Sequence, residues 1–371
     1  MPVAYPPPTS PAPFTSRKVF AAAHVAAVAG PGGVPVIDWE STLRFREHLW
    51  AHGFGVAEAM DTAQRGMGLS WEQARELIAR TAARAAKTGR LDALACGAGT
   101  DQLADGGPHR LGAIIDAYAE QVAFVQASGA QVILMTSRAL AASARGPRDY
   151  LEVYGELVKQ AERPVILHWL GEAFDPALAG YWGGGGFDDA AATVLELIDR
   201  AGGRVDGVKL SVLDERREVS LRRRLPAGVR LYTGDDFNYA SLIRGDADGT
   251  HSDALLGAFA AITAPAAAAL AALDRGDLAG YDAAMEPTVP LSRLIFEPPT
   301  YHYKAGVAFL AWLNGLQPQF VMLGGLERQR PAAHLVRVYE LAAAAGALTE
   351  PELAAERVNE MLARSARAGP V

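Results

Sequence analysis

Short apolar runs alternate along this chain with longer stretches whose apolar residues recur at three- and four-residue spacing. The short runs read as buried strands: Val19–Ala23, Gly55–Met60, Leu91–Cys96, Val132–Met135, Val165–His168, Gly207–Leu210, Val229–Thr233 and Gly257–Ile262. The longer stretches read as amphipathic helices over Ser41–His52, Trp71–Lys87, Ile114–Ser128, Arg148–Ala161 and Asp189–Ala201, with shorter ones after the sixth and seventh strands. Ser70 stands where an N-cap belongs, and Gln73 where a capping box places its amide. Eight strands, each followed by a crossover of roughly 30–40 residues, predict an α/β fold of the (β/α)8 TIM-barrel type. The rival, a doubly wound open sheet, lacks the glycine fingerprint that should follow its first strand. Gly183–Gly186 follows a loop and reads as a flexible hinge.

After Pro265 the strand signal stops. Helical patterns follow over Ala266–Arg275, Leu278–Ile295, Tyr301–Leu313, Pro331–Ala345 and Pro351–Ala366. The expected organisation is a disordered proline-rich arm at 1–16, a barrel at 17–276 and a C-terminal helical region at 277–371. Arg17-Lys18 and the apolar run to Ala29 imitate a signal peptide, but the barrel requires that run as its first strand.

The 371 residues are 50% hydrophobic with a formal net charge of −7. That balance argues against nucleic acid as a partner, and Arg216-Arg217 with Arg222-Arg223-Arg224 reads as a solvated helix face. No run reaches the roughly 20 apolar residues of a membrane span. The single cysteine, Cys96, excludes an intramolecular disulfide and fits a reducing compartment, so the expected location is cytoplasmic.

Lys209 ends the apolar run Val205-Asp206-Gly207-Val208-Lys209. Burial at a strand end disfavours its charge and frees the lone pair that attacks carbonyls, unless the stem snorkels to solvent. Four segments then carry a resemblance. Gly207-Val208-Lys209, Thr233-Gly234-Asp235-Asp236, Gly257–Pro265 and Tyr303-Lys304-Ala305 resemble, in order and spacing, motifs of the dihydrodipicolinate synthase / N-acetylneuraminate lyase family of class I aldolases. The resemblance runs from about Lys18 to Pro331, by pattern rather than by close identity. It implies a Schiff-base lysine at Lys209 on the sixth strand, and no organic cofactor.

The departures are informative. The family grips a 2-oxo acid with Gly-Thr-Thr-Gly-Glu after the second strand; here Asp61-Thr62-Ala63-Gln64-Arg65 stands in that place. The family's tyrosine pair after the fourth strand is replaced by Thr136-Ser137-Arg138, and its fifth-strand tyrosine by His168. Barrel geometry would bring Asp61, Thr62, Gln64, Arg65, Thr100, Asp101, Ser137, Arg138, His168, Glu172, Lys209, Asp235 and Asp236 to one mouth.

Lys209 and His168 are the candidate catalytic pair, with His168 as general acid/base or, in the plainer reading, a core histidine. Thr62, Arg65, Ser137, Arg138, Asp235 and Asp236 are the candidate substrate-binding residues, at least one aspartate being an Asx-turn residue instead. Lys304 reads as structural, and Trp169, Tyr181 and Trp182 as packing rather than a lid.

The leading reading is a Schiff-base lyase or aldolase acting on a small keto acid or oxidised sugar. The alternatives are a divalent-metal-dependent lyase or isomerase using His168, Glu172, Asp61 and Asp236, and a non-catalytic carbohydrate-binding barrel. The expected partner is a small carbonyl substrate, in a homo-oligomer with no nucleic acid or membrane contact.

Overall fold

The computed structural model describes Tyr5, residues 12–103 and residues 107–368. Its strands are β1 (Val19–Ala22), β2 (Ala27–Ala29), β3 (Pro35–Ile37), β4 (Gly55–Glu58), β5 (Leu94–Ala98), β6 (Gln131–Leu134), β7 (Val165–Leu170), β8 (Val205–Ser211), β9 (Arg230–Thr233) and β10 (Asp253–Leu256). Eight of them close a parallel barrel in the order β1-β10-β9-β8-β7-β6-β5-β4, so the chain is a (β/α)8 TIM barrel. The remaining two, β2 and β3, form an antiparallel hairpin with Ala27 opposite Ile37. β7 shows why the strands lack polar alternation: all six of its residues are buried, because barrel strands are covered on both faces.

Helices fill the crossovers as the periodicity predicts. Trp71–Lys87 begins at the expected capping box, with Ser70 and Gln73 each bonding the other's backbone. Phe187–Ala201 ends on Gly202 in the left-handed region, which only a residue without Cβ enters freely. Helices continue beyond the last strand to Ala368.

Three expectations need correction. The eighth strand is Asp253–Leu256, and Gly257–Ile262 forms a 3-10 turn over Ala258–Ala260 instead. The third strand starts at Leu94, with Leu91–Ala93 a helical turn before it. The glycine run read as a hinge is closely packed: a Cβ on Gly183 would stand 2.7 Å from the Gly146–Pro147 peptide, and one on Gly184 2.5 Å from Asp189.

Most of the expected arm at 1–16 lies outside the described residues. Its end is anchored, since the amides of Thr15 and Ser16 both donate to the carboxylate of Asp274. No helix among the described residues is long and apolar enough to cross a membrane.

The chain divides into two compact units. One comprises Met1–Val56, Thr62–Gly68 and Leu256–Val371; the other comprises Ala57–Asp61 and Leu69–Leu255. The second contains Lys209 and most of the candidate site.

Candidate functional site

β7 and β8 place the two candidate catalytic residues side by side. His168 pairs in register with Lys209, so both side chains leave neighbouring parallel strands on the same face. His168 is completely buried and Lys209 is 6% exposed. Gly207 has a local reason in the motif: a Cβ there would lie 2.7 Å from the Tyr232 ring and 2.6 Å from the Arg230 carbonyl of β9.

The electrostatics favour two neutral groups. Burial holds the Lys209 amine below its ordinary pKa, while the carboxylates of Asp61 and Asp236 pull the other way. Burial, reinforced by the charge of Lys209, holds the His168 imidazole well below the ordinary histidine range. Neither nitrogen of this imidazole has a hydrogen-bond partner. Asp61 approaches Nδ1 to 3.8 Å, beyond a hydrogen bond but near enough to favour a protonated ring.

The turn after β9 brings Asp236 towards this pair. Gly234 donates to the Leu210 carbonyl at 2.8 Å. A Cβ on Gly234 would lie 2.1 Å from Ser211 Oγ and 3.1 Å from Lys209 Cε, so glycine is what lets the lysine stem pass. Asp235 shapes the turn itself: its Oδ1 accepts from the amides of Phe237 and Asn238, and its Oδ2 from Asn238 Nδ2. Of the two aspartates, Asp236 is the one that acts on Lys209.

Behind the turn lies a carboxyl that sequence reasoning missed. Glu218 is buried and accepts from Thr233 Oγ1 at 2.9 Å and from Ser252 Oγ at 2.7 Å. Thr233 Oγ1 in turn accepts from the amide of Asp235. Burial pushes the Glu218 carboxyl up to about 8. Arg222, expected on a solvated face, is folded inward instead, reaching Asp246 at 2.8 Å and Ser252 Oγ at 3.1 Å.

Ser137 and Arg138 have structural partners. Ser137 caps helix Arg138–Ser143 by accepting from the Leu140 amide; its Oγ lies 2.6 Å from Thr100 Oγ1, and its amide donates to the Tyr181 hydroxyl. Tyr181 joins Tyr154 at 2.8 Å, and Trp182 packs 4.5 Å from the Tyr154 ring, so these aromatics brace the loops from within. Arg138 pairs with Asp175 at 2.6 Å and is 44% exposed. The expected clamp is committed to an ion pair at the surface.

Thr62, Gln64 and Arg65 belong to the other unit. Thr62 Oγ1 lies 2.8 Å from the Tyr303 hydroxyl. Gln64 adopts φ +67° and donates to the Leu323 carbonyl, and Arg65 is buried. In the same unit Lys304 is buried, 3.3 Å from the Tyr301 carbonyl and 4.5 Å from the Tyr303 ring centroid.

The four candidate metal ligands do not form a set. Glu172 is exposed while His168 is sealed. Among the described residues no three His, Cys, Asp or Glu side chains converge in a metal-holding arrangement.

The fold is shared with solved dihydrodipicolinate synthases. That of Oceanobacillus iheyensis superposes with a TM-score of 0.65 at 15% identity, covering 88% of this chain and 95% of its own. That of Aquifex aeolicus gives 0.67 at 14% identity over 90% and 99%. The chloride-inhibited enzyme of Acinetobacter baumannii, complexed with pyruvate, gives 0.65 at 17% identity over 90% and 99%. No curated protein matches the chain by sequence. The family model that does match, over residues 4–366, is that of a protein family of unknown function, DUF993, and the chain belongs to that family.

Proposed function

We propose that this protein is a class I lyase or aldolase that forms a Schiff base through Lys209, with a small keto acid or an oxidised sugar as substrate. One observation carries the reading. A buried amine with a lowered pKa stands in register with a buried, neutral imidazole whose two nitrogens have no partner. The fold shared with dihydrodipicolinate synthases supports it by analogy, since fold alone does not assign chemistry.

The steps follow from the protonation states. The neutral Lys209 nitrogen attacks the carbonyl carbon, forming the C–N bond as the π pair moves onto oxygen. His168 accepts a proton from the attacking nitrogen and returns it to that oxygen, giving the carbinolamine. Departure of water takes one further proton, the one Lys209 released on becoming a free amine. Ammonium and carbonyl thus become iminium and one water. The iminium then accepts the electron pair of a breaking C–C or C–H bond, leaving an enamine, and no organic cofactor is needed for that role.

The test is reduction with borohydride in the presence of candidate carbonyl compounds. A covalent adduct at Lys209 with concurrent irreversible loss of activity is the expected result. A protein that turns over a carbonyl substrate undiminished after Lys209→Ala has no such mechanism.

A further inference from the structure

Resting on the Schiff-base reading, we infer that Asp61 and Asp236 select the substrate: the Lys209 site takes a neutral, hydroxylated aldehyde or ketone and rejects 2-oxo acids. In a 2-oxo acid the carboxylate carbon is bonded directly to the carbon that joins Lys209 Nζ. Wherever the carbonyl docks, that negative charge arrives beside the lysine. Two carboxylates already act on the amine from there, Asp61 from the loop after β4 and Asp236 from the turn after β9. Asp61 also stands 3.8 Å from the imidazole paired in register with Lys209.

No counter-charge is at hand in this unit. His168 is neutral. Arg138, Arg222 and Arg230 are each paired with an aspartate, namely Asp175, Asp246 and Asp206. A third carboxylate would therefore meet repulsion from two, in a place where burial weakens screening.

Hydrogen-bond matching points the same way. Ionised aspartates only accept, and a neutral imidazole offers one acceptor nitrogen and one donor. A carboxylate brings no donor to Asp61 or Asp236. A hydroxyl on the carbon next to the carbonyl donates to an aspartate, and a second can satisfy a nitrogen of His168, which the protein leaves without a partner. Loss of the family-like threonine pair after β4, where Ala63 follows Thr62, removes one neutral donor that such a carboxylate would use.

The experiment treats the full chain with borohydride and either dihydroxyacetone or pyruvate at equal concentration. Adduct at Lys209 is followed by peptide mass, and each rate is divided by that of the same compound with a free lysine amine. The wild-type protein should label with dihydroxyacetone at least about tenfold faster than with pyruvate on this normalised scale. Asp61→Asn and Asp236→Asn, which keep shape and remove charge, should each shrink that ratio by raising the pyruvate rate. Equal or faster labelling of the wild type by pyruvate overturns the selection and leaves the Schiff base standing. Labelling confined to surface lysines, with Lys209 unmodified by both compounds, overturns the Schiff base itself and this inference with it.

Discussion

Two lysines of this chain are almost equally buried, Lys209 at 6% and Lys304 at 4% exposure, yet their surroundings differ in kind. Lys304 lies in helix Tyr303–Leu313, against the Tyr301 carbonyl, the Met67 sulfur and the Tyr303 ring, all neutral groups that suit a permanent cation. Lys209 faces a neutral imidazole in register and two carboxylates that act at a distance. Burial is common to both; the partners decide which nitrogen is structural and which is poised to react. The sharpest way to break this contrast is a pair of substitutions. Lys209→Ala should reduce turnover and borohydride trapping by at least about a thousandfold with little loss of stability. Lys304→Met, which keeps the stem, should leave trapping within about threefold and cost about 1 kcal/mol, read as a lower Tm. Trapping lost in the second variant while the fold survives would erase the distinction.

Much of this contrast was legible beforehand, and the reasons are specific. Lys209 ends a seven-residue buried strand whose glycine is demanded by the Tyr232 ring, so period and motif coincide there. The eighth strand was displaced because Gly257–Ile262 is as apolar as a strand. Gly257 itself is helical at φ −68°, ψ −35°, whereas the true strand opens on a polar Asp253. β2 and β3 are three residues each, too short for any periodicity to register. Glu218 was hidden for another reason: it sits in the charged run Asp214–Arg217-Glu218. The hydroxyls that bury it come from Thr233 and Ser252, 15 and 34 residues away. Arg138 and Ser137 misled because a polar residue at a strand end looks alike whether it meets a substrate or a neighbouring loop.

Glu218 tests whether the wall behind Lys209 is dry. Its folded-state value of about 8 exceeds the ordinary carboxyl value of 4.5, so between these pH values the folded protein holds a proton that the unfolded chain has lost. Its contribution to stability is greatest below about pH 4.5 and is lost as pH rises through 8. The stability of wild type relative to Glu218→Gln should therefore fall on the order of a few kcal/mol from pH 5 to 9. A difference that stays constant across that range, measured by denaturant titration at each pH, would mean water reaches this carboxyl.

Glycine substitutions sharpen the contrast on a smaller scale. Gly234→Ala forces a Cβ to 2.1 Å from Ser211 Oγ and against the Lys209 stem; Gly257→Ala meets Thr62 and Tyr303 only at 3.2 Å. The first should cost about 1–3 kcal/mol and slow trapping, and the second should cost less. Equal losses of stability and of trapping in the two variants would show that the Lys209 stem has room to move.

The smallest effect is expected at Arg138. Sequence position made it a clamp for an anionic or polyhydroxylated substrate, but its guanidinium is held by Asp175 with its side chain 44% exposed. An ion pair open to water contributes up to about 1 kcal/mol, and salt screens it. Arg138 is also the first residue of helix Arg138–Ser143, where the backbone dipole disfavours a cation, so its removal relieves one interaction as it breaks another. Arg138→Ala should change stability by less than about 1 kcal/mol and leave the carbonyl concentration for half-maximal trapping within about twofold. A tenfold rise in that concentration, with trapping at saturation unchanged, would mean that the guanidinium leaves Asp175 for the substrate. The neutral surroundings drawn for Lys209 would then gain a cation on ligand binding.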